Sequence, residues 1–229
     1  LGFNAVYTKN ILARHGYLAG KDNERLSDLH EMFADPKIDG IWCIRGGYGC
    51  TRLLDQIDYK LIKKNPKILL GYSDITALIQ AIYKKTGLIG FHGPVGVSDS
   101  TDFNTAYFQK VLMESNSNII LENAVENQNN PDSAFQSTII TPGQATGQLI
   151  GGNLSLISSL VGTKYEFSVK NKILFLEDVG EKPYRIDRML TQLLQSIDLK
   201  NAAAVVLGTF ADCKGGENSL SLMETLQDR

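Results

Sequence analysis

A chain of 229 residues, 43% apolar and 21% charged, has the composition of a globular protein with a substantial core, which excludes disordered, collagen-like and coiled-coil chains. A formal net charge of -2 offers no basic excess for gripping a phosphate backbone, so nucleic acid is not an expected partner. Three cysteines, Cys43, Cys50 and Cys213, make neither an even set nor a Cys-x-x-Cys pair, so neither a disulfide framework nor a zinc site is predicted and a reducing compartment fits best.

In chain order, Phe3 to Tyr7 alternates as a strand would. Leu26, Leu29 and Phe33 fall at helical spacing, with Asp22 or Asn23 as cap and Pro36 as terminator. Ile38 to Ile44 reads as a buried strand running into Arg45-Gly46-Gly47-Tyr48-Gly49, and Leu53, Leu54, Ile57 and Leu61 form a short helix after it. Next comes Lys67 to Leu70, an apolar strand that ends in Gly71-Tyr72-Ser73-Asp74 and passes at once into a helix carrying Ile75, Leu78, Ile79, Ile82 and Tyr83, closed by Gly87. Leu88 to Pro94 is a third strand and turn, and Phe103 to Met113 a helix. Buried strands that each lead into a glycine-containing turn predict an α/β fold, a parallel sheet with helices on its faces, whose ligands sit at the carboxyl ends of the strands.

Between Glu122 and Ser133 the sequence turns polar and rich in helix and strand breakers, which marks a connection between domains. We expect an N-terminal domain over 1–122, a linker over 123–136 and a smaller C-terminal α/β domain over 137–229. In the second domain Ser137 to Ile140, Ala145 to Ile150, Lys172 to Leu176 and Ala202 to Leu207 read as strands. Asn153 caps one helix, and a second, from Pro183, sets Ile186, Leu190, Leu193, Leu194 and Ile197 on one face. No apolar run approaches the roughly 18 residues of a membrane span, and no secretory signal is visible, so no membrane partner is expected.

Ser73 stands where a nucleophile would. A glycine lets the strand bend sharply, and the helix that follows turns its unpaired N–H groups and positive dipole end toward the serine. The rival reading is that Ser73 or Asp74 simply caps that helix; the Gly-x-Ser-x-Gly elbow would also need glycine where Ile75 stands. Arg45 to Gly49 invites a nucleotide-loop reading and fails it: counted from Gly47, the last glycine of Gly-x-Gly-x-x-Gly is replaced by Arg52, and no Lys-Ser/Thr ending follows.

Five segments together carry a resemblance: Arg45-Gly46-Gly47-Tyr48-Gly49, Gly71-Tyr72-Ser73-Asp74-Ile75-Thr76, Phe91-His92-Gly93-Pro94, Gly151-Gly152-Asn153-Leu154 and Leu176-Glu177-Asp178-Val179-Gly180-Glu181. Each is weak alone, but in order along almost the whole chain they resemble the LD-carboxypeptidases. That family of serine peptidases includes the murein tetrapeptide carboxypeptidases and the microcin C immunity peptidases. The resemblance implies a flavodoxin-like or Rossmann-like N-terminal domain and a swivelling C-terminal one. It implies Ser73 as nucleophile and Glu177 as the carboxylate that orients a histidine base. It places that histidine beyond Arg229 and lacks a counterpart here for the family's opening strand and helix, so an internal fragment of a longer protein is expected.

A serine hydroxyl needs a base within hydrogen-bond reach, and the base an orienting acceptor. Of the three histidines, His15 and His30 sit in polar or amphipathic surroundings, and His92 lies at the correct sheet edge, where it would be the base of an enzyme complete in itself; the resemblance makes it part of the pocket floor instead. Gly47 and the Asp74 backbone N–H are the candidate oxyanion donors, and Arg45, with Tyr72 and His92, the candidate substrate contacts, a forked guanidinium suiting a free carboxylate. Asp178 and Glu181 are read as structural or solvent-facing, and the site is expected in a cleft between the domains. The resemblance implies release of terminal D-alanine from murein tetrapeptide by a homodimer, expected in the cytoplasm and without metal or cofactor. The alternatives are a peptidyl-nucleotide substrate like processed microcin C, and a non-catalytic module that binds cell-wall peptide.

Overall fold

The computed structural model describes residues 2–114, 118–124 and 137–229. Two three-stranded sheets, both parallel, divide the described chain. The first is formed by β1 (Gly40–Trp42), β2 (Ile68–Gly71) and β3 (Phe91–His92) in that order, with α1 (Asp22–Ala34), α2 (Tyr59–Lys64), α3 (Ile75–Thr86) and α4 (Asp102–Leu112) around it. The second is formed by β4 (Gln148–Asn153), β5 (Lys172–Val179) and β6 (Ala204–Ala211), with α5 (Leu154–Leu160), α6 (Pro183–Ser196) and α7 (Leu222–Asp228). The α/β class expected from the sequence is therefore the observed one. Parallel neighbours need crossovers, and helices supply them.

Phe33, Leu54, Ile62, Leu69 and Ile82 are sealed in one core cluster; Leu154, Leu174, Leu176, Ile186, Leu193 and Phe210 are sealed in the other. Burying side chains of this size contributes about 1.5–3 kcal/mol each. The helix α3 sits against both halves. Leu160 and Tyr165, from the second half, belong to its cluster, and every residue from Ile75 to Ile82 is buried. The sequence shows one apolar side on this helix; its two buried polar residues face the second sheet, where Thr76 Oγ1 accepts from the Asn153 N–H at 3.1 Å and Gln80 Nε2 donates to the Gly151 carbonyl at 2.6 Å.

Several boundaries differ from the expectation. Phe3 to Tyr7 forms no strand, since among the described residues no partner strand pairs with it; Phe3 instead sets its ring 5.8 Å from that of Phe108. Ser137 to Ile140 likewise stays irregular and exposed. The helix expected from Leu53 to Leu61 breaks into a 3-10 turn at Leu54–Gln56 and α2, because Asp58 turns its carboxylate back to accept from the N–H groups of Lys60 and Leu61. Glu177 and Asp178 lie within β5 rather than past its end. The first helix starts at Asp22 itself, with Lys21 as the capping position. From residue 125 on, the expected linker lies outside the described residues.

Candidate active site

At the carboxyl end of β2 the chain reverses within three residues. A Cβ on Gly71 would fall 2.9 Å from Ile75 Cγ1 and 3.1 Å from Cys43 Cβ, so the turn needs glycine there. Ser73 adopts φ 60. Of the described non-glycine residues, Asn171 and Asp212 share this left-handed region, where their short polar side chains are tolerated; serine has no such excuse. Strain of this kind persists where the surrounding structure enforces it. The capping alternative fails on geometry, since Asp74 makes no side-chain cap bond to α3 and, among the described residues, no hydrogen bond engages the Ser73 hydroxyl.

The Asp74 carboxylate is buried and turned the other way, its Oδ2 accepting from the Cys50 N–H at 2.9 Å. That bond ties the serine turn to the glycine turn at 45–49. Burial and then the nearby Asp74 carboxylate push the Cys50 thiol well above its ordinary range, so it stays protonated and inert. Gly46 lies directly against the serine: a Cβ there would be 3.0 Å from Ser73 Cβ and 3.1 Å from its Oγ. Gly47 follows with φ 120, and no hydrogen bond among the described residues uses its N–H or that of Asp74. Arg45, Gly46, Gly47, Tyr72, Ser73, Val95 and Val97 line a cleft of about 320 Å³.

All of those walls come from the first half of the chain, so the cleft over Ser73 is not itself lined by the second sheet. Glu177, 9% exposed, lies on β5 opposite Asn153 of β4. His92 bridges the interval. Its Nε2 lies 3.5 Å from Glu177 Oε1, and its ring meets those of Tyr72 at 6.3 Å and Phe175 at 5.7 Å, both edge-on. Among the described residues no hydrogen bond joins His92 to Ser73. His30 accepts from the Asp58 N–H at 2.9 Å and His15 pairs through its backbone with Leu18, both away from the cleft.

Asp178, beside Glu177, is a structural carboxylate: it accepts from Asn153 Nδ2 at 3.0 Å and from both the N–H and the hydroxyl of Ser155. Sequence reasoning missed the side-chain role of Asp74, the polar ties from Thr76 and Gln80, and the cleft walls Val95 and Val97. The Gly46-Gly47 doublet was a usable signal for the close approach to Ser73; the others carry no local mark.

Residues 1–93 match the model of the LD-carboxypeptidase N-terminal domain, and residues 146–229 that of the LD-carboxypeptidase C-terminal domain. The chain belongs to the LD-carboxypeptidase family. Its relatives include a probable murein peptide carboxypeptidase of Bacillus subtilis, 42% identical over all of this chain and 70% of that protein. Among solved structures, the muramoyltetrapeptide carboxypeptidase from Oxalobacter formigenes is 31% identical with a TM-score of 0.75, covering 93% of this chain and 70% of the other. An MccF-like protein from Bacillus anthracis is 33% identical with a TM-score of 0.74, covering 93% and 69%. As a member of the LD-carboxypeptidase family the protein is a serine-type carboxypeptidase, a hydrolase.

Proposed function

We propose that this LD-carboxypeptidase releases terminal D-alanine from murein tetrapeptide in cell-wall recycling, through an acyl-enzyme on Ser73. The observation that carries the reading is the serine itself: a strained residue at φ 60, its hydroxyl in no hydrogen bond among the described residues, at a strand-to-helix turn over an open cleft. In this reading Ser73 Oγ attacks the carbonyl of the scissile bond. The Gly47 and Asp74 N–H groups then donate to the oxyanion as it forms, where preorganised donors matter most. Arg45 holds the carboxylate of the departing residue, with Tyr72 and His92 shaping the approach. Glu177 orients the histidine base that removes the serine proton. Water activated by the same base then releases the acyl group. The reading uses no metal or cofactor, takes 1–122 and 137–229 as the two domains, and sets the enzyme in the cytoplasm as a homodimer.

Ser73→Ala in the full-length protein is expected to reduce kcat for D-alanine release by on the order of 10⁶-fold, to background. Turnover at the parent rate in that variant would sink the assignment. A second reading keeps the site and exchanges the substrate for a peptidyl-nucleotide, and the likeness to the MccF-like protein favours it. Competition between a murein tetrapeptide and a peptidyl-nucleotide in one assay separates the two.

A further inference from the structure

We propose that His92 is a positioning residue that holds the Glu177 carboxylate, and through it ties the sheet behind the nucleophile to the sheet bearing the acid. The inference rests on the reading of Glu177 as the carboxylate that orients the base. Glu177 Oε1 is shut off from solvent and has no hydrogen-bond partner among the described residues. Among the described residues His92 is the one basic side chain within 4.0 Å of Glu177, with Nε2 at 3.5 Å from Oε1. That distance exceeds a hydrogen bond by a few tenths of an ångström, a gap of the kind that closes when substrate fills a site.

The place of His92 is set by contacts from both sheets. Its backbone pairs with Gly71 across the first sheet, two residues before the nucleophile. Tyr72 and Phe175 hold the ring edge-on from the two sheets, at interplanar angles of 79° and 62°. Gly152 leaves the ring its space: a Cβ there would fall 3.2 Å from His92 Nδ1 and 2.7 Å from Thr76 Oγ1. With Nε2–H donating to Oε1, the carboxylate is fixed in rotation and its second oxygen is left for the base. A carboxylate free to rotate would orient nothing, and small misplacements at a reacting centre cost about 10²-fold in rate.

The test is steady-state release of D-alanine from a murein tetrapeptide by the full-length protein and its variants, each checked for folding by thermal unfolding. His92→Phe is expected to lower kcat by about 10²-fold with KM little changed. His92→Gln, whose amide nitrogen reaches Oε1, is expected to recover most of that loss. The shorter His92→Asn is expected not to, and it carries the comparison should the phenylalanine variant fail to fold. In a Glu177→Gln background His92→Phe is expected to add no further loss. Equal losses in both backgrounds, a rise in KM with kcat held, or equal rates for the Gln and Asn variants would overturn the role of His92 while leaving Glu177 in place. Parent turnover in Glu177→Gln alone would remove Glu177 from the reaction, and His92 with it.

Discussion

Ser73 combines two demands that oppose one another. The turn after Gly71 forces φ to 60, a region that costs an ordinary residue about 1–2 kcal/mol, yet a glycine there would have no hydroxyl. The strain is thus stability given up at the proposed nucleophile. Two substitutions separate the contributions. Both Ser73→Ala and Ser73→Gly remove the hydroxyl and are expected to be inactive, but only glycine relieves the backbone. Urea unfolding is expected to show Ser73→Gly more stable than Ser73→Ala by about 1 kcal/mol, the left-handed penalty less the extra chain entropy of glycine. Equal stabilities would show that the turn is not strained.

At the scale of elements, the glycine turn at 45–49 is held from both sides. Asp74 fastens it to the start of α3 through Cys50. On the other side Arg52, just beyond the turn, makes a forked contact to Asp22 at the start of α1, with Nη2 to Oδ2 at 2.7 Å, and Arg25 reaches the same carboxylate at 2.6 Å. The Arg52 hydrogen bond first, and the Arg25 one second, lower the Asp22 carboxyl to about 2. A carboxylate with a lowered pKa stabilises the folded state fully above its unfolded value of about 3.9, and the contribution is lost as pH falls through about 2. Unfolding followed from pH 6 down to pH 2 is therefore expected to show a shallower acid limb for Asp22→Asn than for the parent. Parallel curves would show that the pair contributes nothing to acid stability.

Across the whole molecule, α3 is the element both halves share. It begins at the proposed nucleophile, lies in the first core, and hydrogen-bonds through Thr76 and Gln80 to the β4 strand that pairs with the Glu177 strand. Thr76→Val and Gln80→Leu each leave a buried backbone group without its partner and are expected to cost about 1–3 kcal/mol. In calorimetry the parent is expected to melt in one transition, and the double variant to separate the halves into two. A single transition in the double variant would place the coupling in apolar packing instead.

What the sequence by itself determined is what depends on near neighbours. The apolar run into Gly71, the helical spacing from Ile75 and the cap at Gly87 are local, so β2, the Ser73 turn and α3 were legible, as were the α/β class and the glycine turn beside the serine. Periodicity failed at Phe3 to Tyr7, where alternation without a partner strand gives no ladder to join. Only the tertiary structure decided that Asp74 faces Cys50, that Thr76 and Gln80 face the second sheet, and that His92 meets Glu177. Those contacts join residues remote along the chain, and their geometry is fixed by how two sheets pack about one buried helix. No spacing in the sequence encodes that packing, because each side chain looks locally like an ordinary strand-end or helix residue until the other half of the core arrives.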